Sequence, residues 1–592
     1  MTRSTDRAGR LAWIAPLVVF LVSLAVFGFS AFVDPDPHHD GVQIAPAIAI
    51  AEGLRIHADV YDHYGPVTAW IHGIAVMGFG PYLLTIRLVT ALLLAISAVF
   101  LFVIARRVLR PPGIAWLVVI AWIAAWPGRS VDATTYLFLP WPSITFLTLQ
   151  LLIALLVIKL IADSQPRHSL HFVLGLTVGV AAITRLNAGI PTAIVVTVIV
   201  ILFIPRSRIN EAGSRGLIAY IAGLGLAVVG VLALLAIQGS SGAYLQDAIL
   251  GPLSGDATDG VTSWFYYRNS VLLGSVPLLV SVGLVYVIGR RFTASRRLQW
   301  ITALVGVTGL VAWTSTSILG SPIRTVILSR LSWAPALDHQ AFQLMFAAVL
   351  LLPIAVIVAV LPLREKRDGS SGEIKGGPIS RARALSPTRR IRLALTLLAL
   401  VSLVQLYPFI DPNHVWWAIP LPLIVVTALL TDRLNSQWAW VMACVSLLPT
   451  IIIAFPRAID YLSEPRSQVQ NGVLSGMWAP VERMDDIEAT DRLLLALEPG
   501  SNRFDCWNGL FAVWSGRYLA DSSAFVNWAP GFTPAAEAPP SGALVRCVDT
   551  DSARQQTEDG AKGFVIVDQQ SPVSISYYNY TTLEVLLEAT AD

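Results

Sequence analysis

The chain has 592 residues, of which 55% are hydrophobic and 13% charged, with a net charge of +3. Soluble domains are about 25% charged, so a water-soluble enzyme of this length is excluded. A disordered chain is excluded too, since it needs many charges and few apolar residues.

Several apolar runs reach or approach the ~20 residues that cross a bilayer as a helix. They predict a polytopic α-helical membrane protein with about thirteen transmembrane helices, near 11–33, 83–105, 112–126, 143–162, 170–185, 188–204, 216–238, 269–289, 298–319, 340–363, 391–408, 415–430 and 437–455. The first run is too long for a signal peptide and lacks a small-residue cleavage site, so it reads as an anchor. With the N-terminus cytoplasmic, the inward segments 1–10, 106–110, 159–168, 205–215, 290–297, 364–392 and 432–433 hold 25 Lys and Arg. The outward segments before residue 456 hold seven: Arg55, Arg87, Arg129, Arg185, Arg268, Arg324 and Arg330. That bias sets the orientation and puts the tail outside. The carboxylates run the other way, with Asp34, Asp36, Asp40, Glu52, Asp59, Asp62, Asp132, Asp247, Asp256, Asp259, Asp338 and Asp411 in outward segments. Free variation of exported loops accounts for many of these; a substrate site accounts for a few.

The first outward loop, 34–82, is the most informative. Its segments 42–54 and 66–79 are apolar but too short to span, and suit helices lying along the membrane surface. They would hold Asp40 and Asp62 at one level above the headgroups. His38 and His39 precede the first carboxylate and His63 follows the second. Asp40 begins a helix, whose N-terminal dipole favours the ionised carboxylate. Gly41, Gly65 and Pro66 suggest tight turns at the acidic positions.

These elements, HHDG at 38–41, AEGLRIHADVYDHYGP at 51–66 and TIRLV at 85–89, resemble the GT-C superfamily of membrane glycosyltransferases. The resemblance is to the bacterial protein O-mannosyltransferase and aminoarabinose transferase branch. It implies a polyprenyl-phosphate-linked monosaccharide as donor and transfer on the extracytoplasmic face. It also implies Asp40 as the main catalytic carboxylate and Asp62 as the second acidic position. HHDG departs from the Asp-Glu or Asp-Asp that many members carry. Chemically, a sugar acceptor hydroxyl loses a proton as it attacks the anomeric carbon, and a carboxylate within reach can take it. The departing lipid phosphate needs cationic or N–H donors. His39, His63, Arg129, Arg185, Arg268 and Arg324 are the candidates, with lipid-headgroup anchoring the alternative for each Arg. A divalent cation on Asp40 and Asp62 is compatible with hard oxygen ligands; relatives with and without metal exist, and the question stays open.

Further along, loop 239–268 is Gly-rich and ends in SWFYYR, whose Trp264, Tyr266 and Tyr267 read as an interfacial belt or as a platform for a sugar ring. The linker 364–390 is Gly/Ser-rich and basic, a flexible cytoplasmic loop facing anionic lipid. In YPFIDPNHVWWAIP, 407–420, Asp411 and His414 flank a Pro-Asn turn, with Trp416 and Trp417 at interface depth. Similar segments in GT-C-like proteins imply that His414 donates to the lipid phosphate with Asp411 orienting it; a capped turn is the alternative.

After 455 the composition changes: the tail 456–592 has 9 basic and 19 acidic residues. Helical spacing at 478–497 followed by strand-like NRFDCWNGLFAV, GALVRCV and GFVIVD predicts a small extracytoplasmic α/β domain, separate from the transmembrane domain 1–455. Cys506 and Cys547 fall in this exported tail, where a disulfide is favoured and worth ~3–4 kcal/mol; Cys444 lies in an apolar span as a packing residue. The leading expectation is therefore an inverting glycosyltransferase acting on an exported glycan, lipid or protein, without nucleic acid. An oligosaccharide polymerase or ligase and, in another class, a transporter are the alternatives. Transporters place ionisable groups near the bilayer midplane, whereas these cluster in outward loops.

Overall fold

The computed structural model describes residues 13–33, 35, 37–60, 62, 64–126, 140–163, 167–203, 210–250, 278–288, 301, 304–307, 348–349, 351–353, 385–406, 412–432, 434–470, 472–481, 484–485, 487–488, 503–505, 544–549, 564–570 and 580–588. Within them, five helical stretches are long and apolar enough to cross a membrane. These are α1 (Ile14–Ala31), α4 (Leu83–Val108), α6 (Pro142–Ala162), α8 (Leu186–Phe203) and the stretch Arg215–Ile237 of α9 (Asn210–Ile237). Shorter apolar helices include α5 (Ile114–Ala124), α7 (His168–Thr184) and α11 (Leu278–Ile288). The patterning is inverted relative to a soluble protein. Leu21 and Val22 of α1 and Ile218, Ile221, Val229 and Ile237 of α9 face outward, while Ser23, Ser97, Gln150 and Gln405 are buried. An apolar surface around a core that holds the polar side chains is what lipid selects. The chain is a polytopic helical membrane protein.

The predicted spans 83–105 and 143–162 correspond to α4 and α6 within a few residues. Helix α4, 26 residues long, rises about 39 Å, longer than the ~30 Å hydrocarbon core. It ends on Arg106 and Arg107, and α6 carries Lys159 in its last turn; cations there complement the helix dipole.

Between α7 and α9 the helices touch backbone to backbone. A β-carbon on Gly175 would lie 1.9 Å from the Tyr220 carbonyl oxygen, and one on Gly179 2.7 Å from the Ala227 β-carbon. Small residues four apart permit this approach, which lipid alone does not drive. Gly175→Leu is therefore expected to split the pair and lower the melting temperature of detergent-solubilised protein by several degrees; an unchanged melt would refute the packing.

Two shorter helices form the first loop, α2 (Pro37–Ala51) and α3 (Val67–Phe79). At about 22 and 20 Å neither spans. Helices thus occur near the expected 42–54 and 66–79, but α2 starts earlier. Proline suits a helix's first turn, where its missing N–H loses no bond. Gly41 consequently sits inside α2 and marks no turn, correcting the expectation.

After the short helix α10 (Ser241–Leu245) the chain continues as a π-helical turn, Gln246–Leu250. Of loop 239–268, residues after 250 lie outside the described set, with Trp264, Tyr266 and Tyr267 among them, as do most of the predicted spans 298–319 and 340–363. Later come α12 (Pro387–Ser402), α13 (Pro412–Ala418), α14 (Pro420–Thr431) and α15 (Ser436–Ser463). Trp416 and Trp417 are not exposed as an aromatic belt would be: both are buried in the main core. Trp416 stacks on Trp122 of α5 at 4.5 Å and 7°. The pair also exchanges indole N–H bonds to each other's carbonyls, at 3.2 and 2.8 Å. A partner for its N–H lets tryptophan enter a core, so an aromatic pair followed by proline became packing.

Helix α15 continues past 455 to Ser463. Strands β1 (Arg466–Gln468) and β2 (Trp478–Pro480) then pair antiparallel. The Trp478 N–H donates to the Phe32 carbonyl at 2.6 Å, and Val469, Leu474, Met477 and Ala479 join the main core. The segment 466–480 therefore caps the end of α1, on the same side as the first loop. Residues 478–480, expected to open a helix, form a strand because pairing with β1 and Phe32 satisfies their backbone. Farther on, β3 (Arg503–Asp505), β4 (Leu544–Asp549), β5 (Phe564–Gln570) and β6 (Tyr580–Glu588) form a sheet in the order β3-β4-β6-β5. Its β3–β4 pair is parallel and the other two are antiparallel. The predicted strands are β3, β4 and β5; the longest, β6, was not foreseen.

Candidate functional site

The first loop carries two buried carboxylates in different surroundings. Asp40, in the first turn of α2, is wholly buried, as is Arg87 at the start of α4. The guanidinium meets the carboxylate through two nitrogens: Nε donates to Oδ1 at 3.1 Å and Nη2 to Oδ2. Arg87 Nη1 also donates to the Val33 carbonyl at 2.8 Å, next to Trp478. This fork-to-fork geometry fixes the carboxylate's orientation as well as its charge. It pins α2, α4 and the end of α1 together. A divalent cation at Asp40 would sit against that guanidinium, so the residues present do not fit one there. Among the described residues no group of three or more His, Cys, Asp or Glu is arranged to hold a metal.

Asp62 lies in the connection between α2 and α3, and is also buried. Its Oδ1 accepts the Tyr64 backbone N–H at 2.8 Å. Burial pushes its carboxyl up to about 7, with the Asp247 charge adding to the rise and His57 and the Tyr64 N–H opposing it. Nearby, His57 Nδ1 lies 3.4 Å from Oδ2 of Asp247 in the π-helical turn. The Tyr244 ring stands edge-on to the imidazole, 5.1 Å away. At the exposed end of the connection Arg55 bonds Asp59 at 2.6 Å and holds its carboxyl down at about 2.

The Asp62 connection is pressed against the break between α7 and α8. A β-carbon on Gly65 would fall 1.5 Å from the Ile183 carbonyl oxygen, so only glycine fits. Arg185 occupies that break in extended conformation. It is buried and donates from Nη1 to Ser143 Oγ at 2.5 Å. Two residues before Ser143, Trp141 Nε1 donates to the Tyr64 hydroxyl at 2.8 Å. Hydrogen bonds thus join Asp62, Tyr64 and Trp141, and Arg185 is held by Ser143, two residues along the chain from Trp141. Of the phosphate candidates, Arg185 alone stands in this network among the described residues.

His414, on α13, is half-buried with its ring 5.0 Å from that of Trp417. His63, Arg129, Arg268, Arg324, Asp411 and Cys506 lie outside the described residues. His39 is in α2 and Cys547 in β4, their side chains outside that set. Sequence reading missed His57 as a site residue and gave Asp247 no role. His57 sits in the quoted motif, IHADVYD, but only the fold brings Asp247 to it from 190 residues away. Arg87 stood in the TIRLV element; its pairing with Asp40 was the unforeseen part.

No protein-family model matches the chain, and no curated protein matches it. Among solved structures, the chain is similar to ArnT from Cupriavidus metallidurans bound to undecaprenyl phosphate, at 14% identity and TM-score 0.42 over 98% of this chain and 99% of that one. The apo state of the same protein gives 15% and 0.42 over 99% and 98%. It is also similar to the oligosaccharyltransferase AglB from Archaeoglobus fulgidus in complex with an inhibitory peptide and a dolichol-phosphate, at 13% and 0.43 over 86% of this chain and 64% of that one.

Proposed function

We propose that the chain is a membrane glycosyltransferase that moves one sugar from a polyprenyl-phosphate donor to an exported acceptor on the extracytoplasmic face. The observation that carries this reading is Asp62, a buried carboxyl held at about 7, whose neighbour Tyr64 bonds Trp141 at the start of the helix whose Ser143 holds the buried guanidinium of Arg185. A general base works best when its proton affinity lies near the working pH. A lipid phosphate leaving group calls for a desolvated cation. One loop and one helix break supply both.

In this reading the acceptor hydroxyl gives its proton to Asp62 as its oxygen bonds the anomeric carbon. The bond from that carbon to the phosphate oxygen breaks, and the electron pair leaves on the polyprenyl phosphate beside Arg185. A single displacement of this kind inverts the configuration. Asp40, its charge balanced by Arg87, fixes the start of α2 and with it the loop that presents Asp62. His414, oriented by Asp411, and His39, His63, Arg129, Arg268 and Arg324 are further proposed contacts to the donor phosphate. The bond between Phe32 and Trp478 supports the first loop and the start of the tail sharing one side, which the basic-residue bias makes the outer one. A Cys506–Cys547 disulfide in the tail belongs to the same proposal.

The test is turnover of a panel of polyprenyl-phosphate sugars by the full-length protein in liposomes. Turnover per folded molecule that falls by roughly 10²–10⁴-fold in both Asp40→Asn and Asp62→Asn is the expected result. No turnover of any donor, or wild-type turnover in both variants, overturns the reading.

A further inference from the structure

Helix α13 ends against two prolines. Pro420 and Pro422 lack the N–H groups that would bond the Trp416 and Ala418 carbonyls one helical turn back. Side chains from elsewhere replace them. Trp122 Nε1 donates to the Trp416 carbonyl at 3.2 Å. Ser402 Oγ shares its proton between the Ala418 and Ala399 carbonyls, at 2.9 and 2.7 Å. The carbonyl between them, that of Trp417, accepts from Gln405 Nε2 at 3.4 Å. The end of α13 is thus held from α5, from α12 and from the short 3-10 turn Leu403–Leu406.

Gln405 does more than cap. Its Nε2 also meets Gln150 Oε1 at 3.4 Å, and both side chains are buried. A carbonyl only accepts, so Trp417 fixes which way the Gln405 amide faces, and Gln405 in turn fixes Gln150. The bridge leaves Gln405 Oε1 and Gln150 Nε2 sealed, without a partner among the described residues. Buried polar atoms are paired in the great majority of cases, and an exception calls for a reason. Capping Trp417 needs Gln405 alone. An apolar side chain at 150 would cap no worse and would remove an orphaned donor.

The reason lies at the two ends of the bridge. Gln150 follows Ser143 by seven residues on α6, two turns along the same face, and Ser143 holds Arg185. Trp417 stands one turn from His414, and their rings meet edge-on, 5.0 Å apart at 63°. One helix therefore bonds both the arginine and the element that carries the histidine. We propose that Gln150 and Gln405 are positioning residues that set the His414 ring relative to Arg185, so that both meet one lipid phosphate. This rests on the reading of His414 and Arg185 as contacts to the donor phosphate. Neither amide touches the phosphate; both act through Trp417.

The experiment measures binding of a polyprenyl phosphate to the full-length protein in nanodiscs, together with the ¹⁵N-histidine spectrum. The His414 signal is the one that His414→Gln removes. Gln150→Leu is expected to shift that signal and to weaken binding by about 3–10-fold, while the melting temperature holds or rises. Gln405→Leu should do the same with a lower melt, because it also strips the Trp417 carbonyl of its donor. In a His414→Gln background, Gln150→Leu should weaken binding no further. A merely structural bridge would change the melt and leave the His414 signal and the affinity alone. An unmoved signal in Gln150→Leu, wild-type affinity, or a fully additive loss in the double variant overturns the proposal. Should Gln405→Leu fail to fold, Gln150→Leu decides alone. If the wild type binds no polyprenyl phosphate, the functional reading fails, while the His414 signal still decides whether the bridge sets the ring.

Discussion

Arg87→Met is expected to lower stability by about 3–5 kcal/mol, because it strands the Asp40 carboxylate in a dry interior without its partner. Both side chains are wholly buried, so water cannot take over. Asp40→Asn in the same background removes the stranded charge. The double variant Asp40→Asn/Arg87→Met should therefore recover most of the lost melting temperature in detergent, a non-additivity that only directly coupled residues display. Donor turnover should not recover with it. The cycle thus separates the pair's contribution to stability, which two neutral side chains can replace, from the part in turnover proposed for Asp40. Recovered turnover in the double variant would remove Asp40 from the catalytic assignment. Failure to recover stability would mean that the link to Val33 matters more than the ion pair.

The second large effect is a change of opposite sign in stability and activity. The Asp62 carboxyl, held at about 7 in the fold, titrates near 4 when exposed. Between those values the folded protein retains a proton that the unfolded chain releases. The contribution of this carboxyl to stability is therefore greatest below pH 4, falls as pH rises through this window, and levels off above 7. Asp62→Asn cannot ionise and escapes the fall. It is expected to be more stable than the wild type at pH 8 by on the order of 2–4 kcal/mol, with the gain vanishing toward pH 4. Its turnover should be lost at every pH. A melt that is equal at pH 8 and pH 4 relative to wild type would show that the carboxyl is not held up by burial. A residue that weakens the fold at working pH, and whose amide strengthens it, is the signature of a site retained for chemistry.

The two carboxylates differ because their neighbours differ. Asp40 meets a guanidinium across α4, and Asp62 meets a backbone N–H, an imidazole and another carboxylate. Both stand in one loop, each next to a histidine and with a glycine within three residues. Apolar runs too short to span marked the two helices on either side of Asp62, and proline at 37 explains why the first begins before Asp40. The positions of α4 and α6 could be read from hydropathy because lipid imposes a length that composition must meet. The role of Trp416 could not: an indole reads alike in a belt and in a core until Trp122 supplies its partner.

Apolar run length and the bias of basic residues determined, without coordinates, that this chain is a bundle of spans with an acidic first loop and a polar tail. Both are properties of transfer from water to lipid, which each segment feels on its own. Only the tertiary structure decided that Asp40 answers to Arg87, that Arg185 reaches the Asp62 loop through Ser143, Trp141 and Tyr64, and that Asp247 returns to His57. Those pairings join residues 42 to 190 positions apart. They follow from which helices pack together, a long-range outcome that local pattern does not encode.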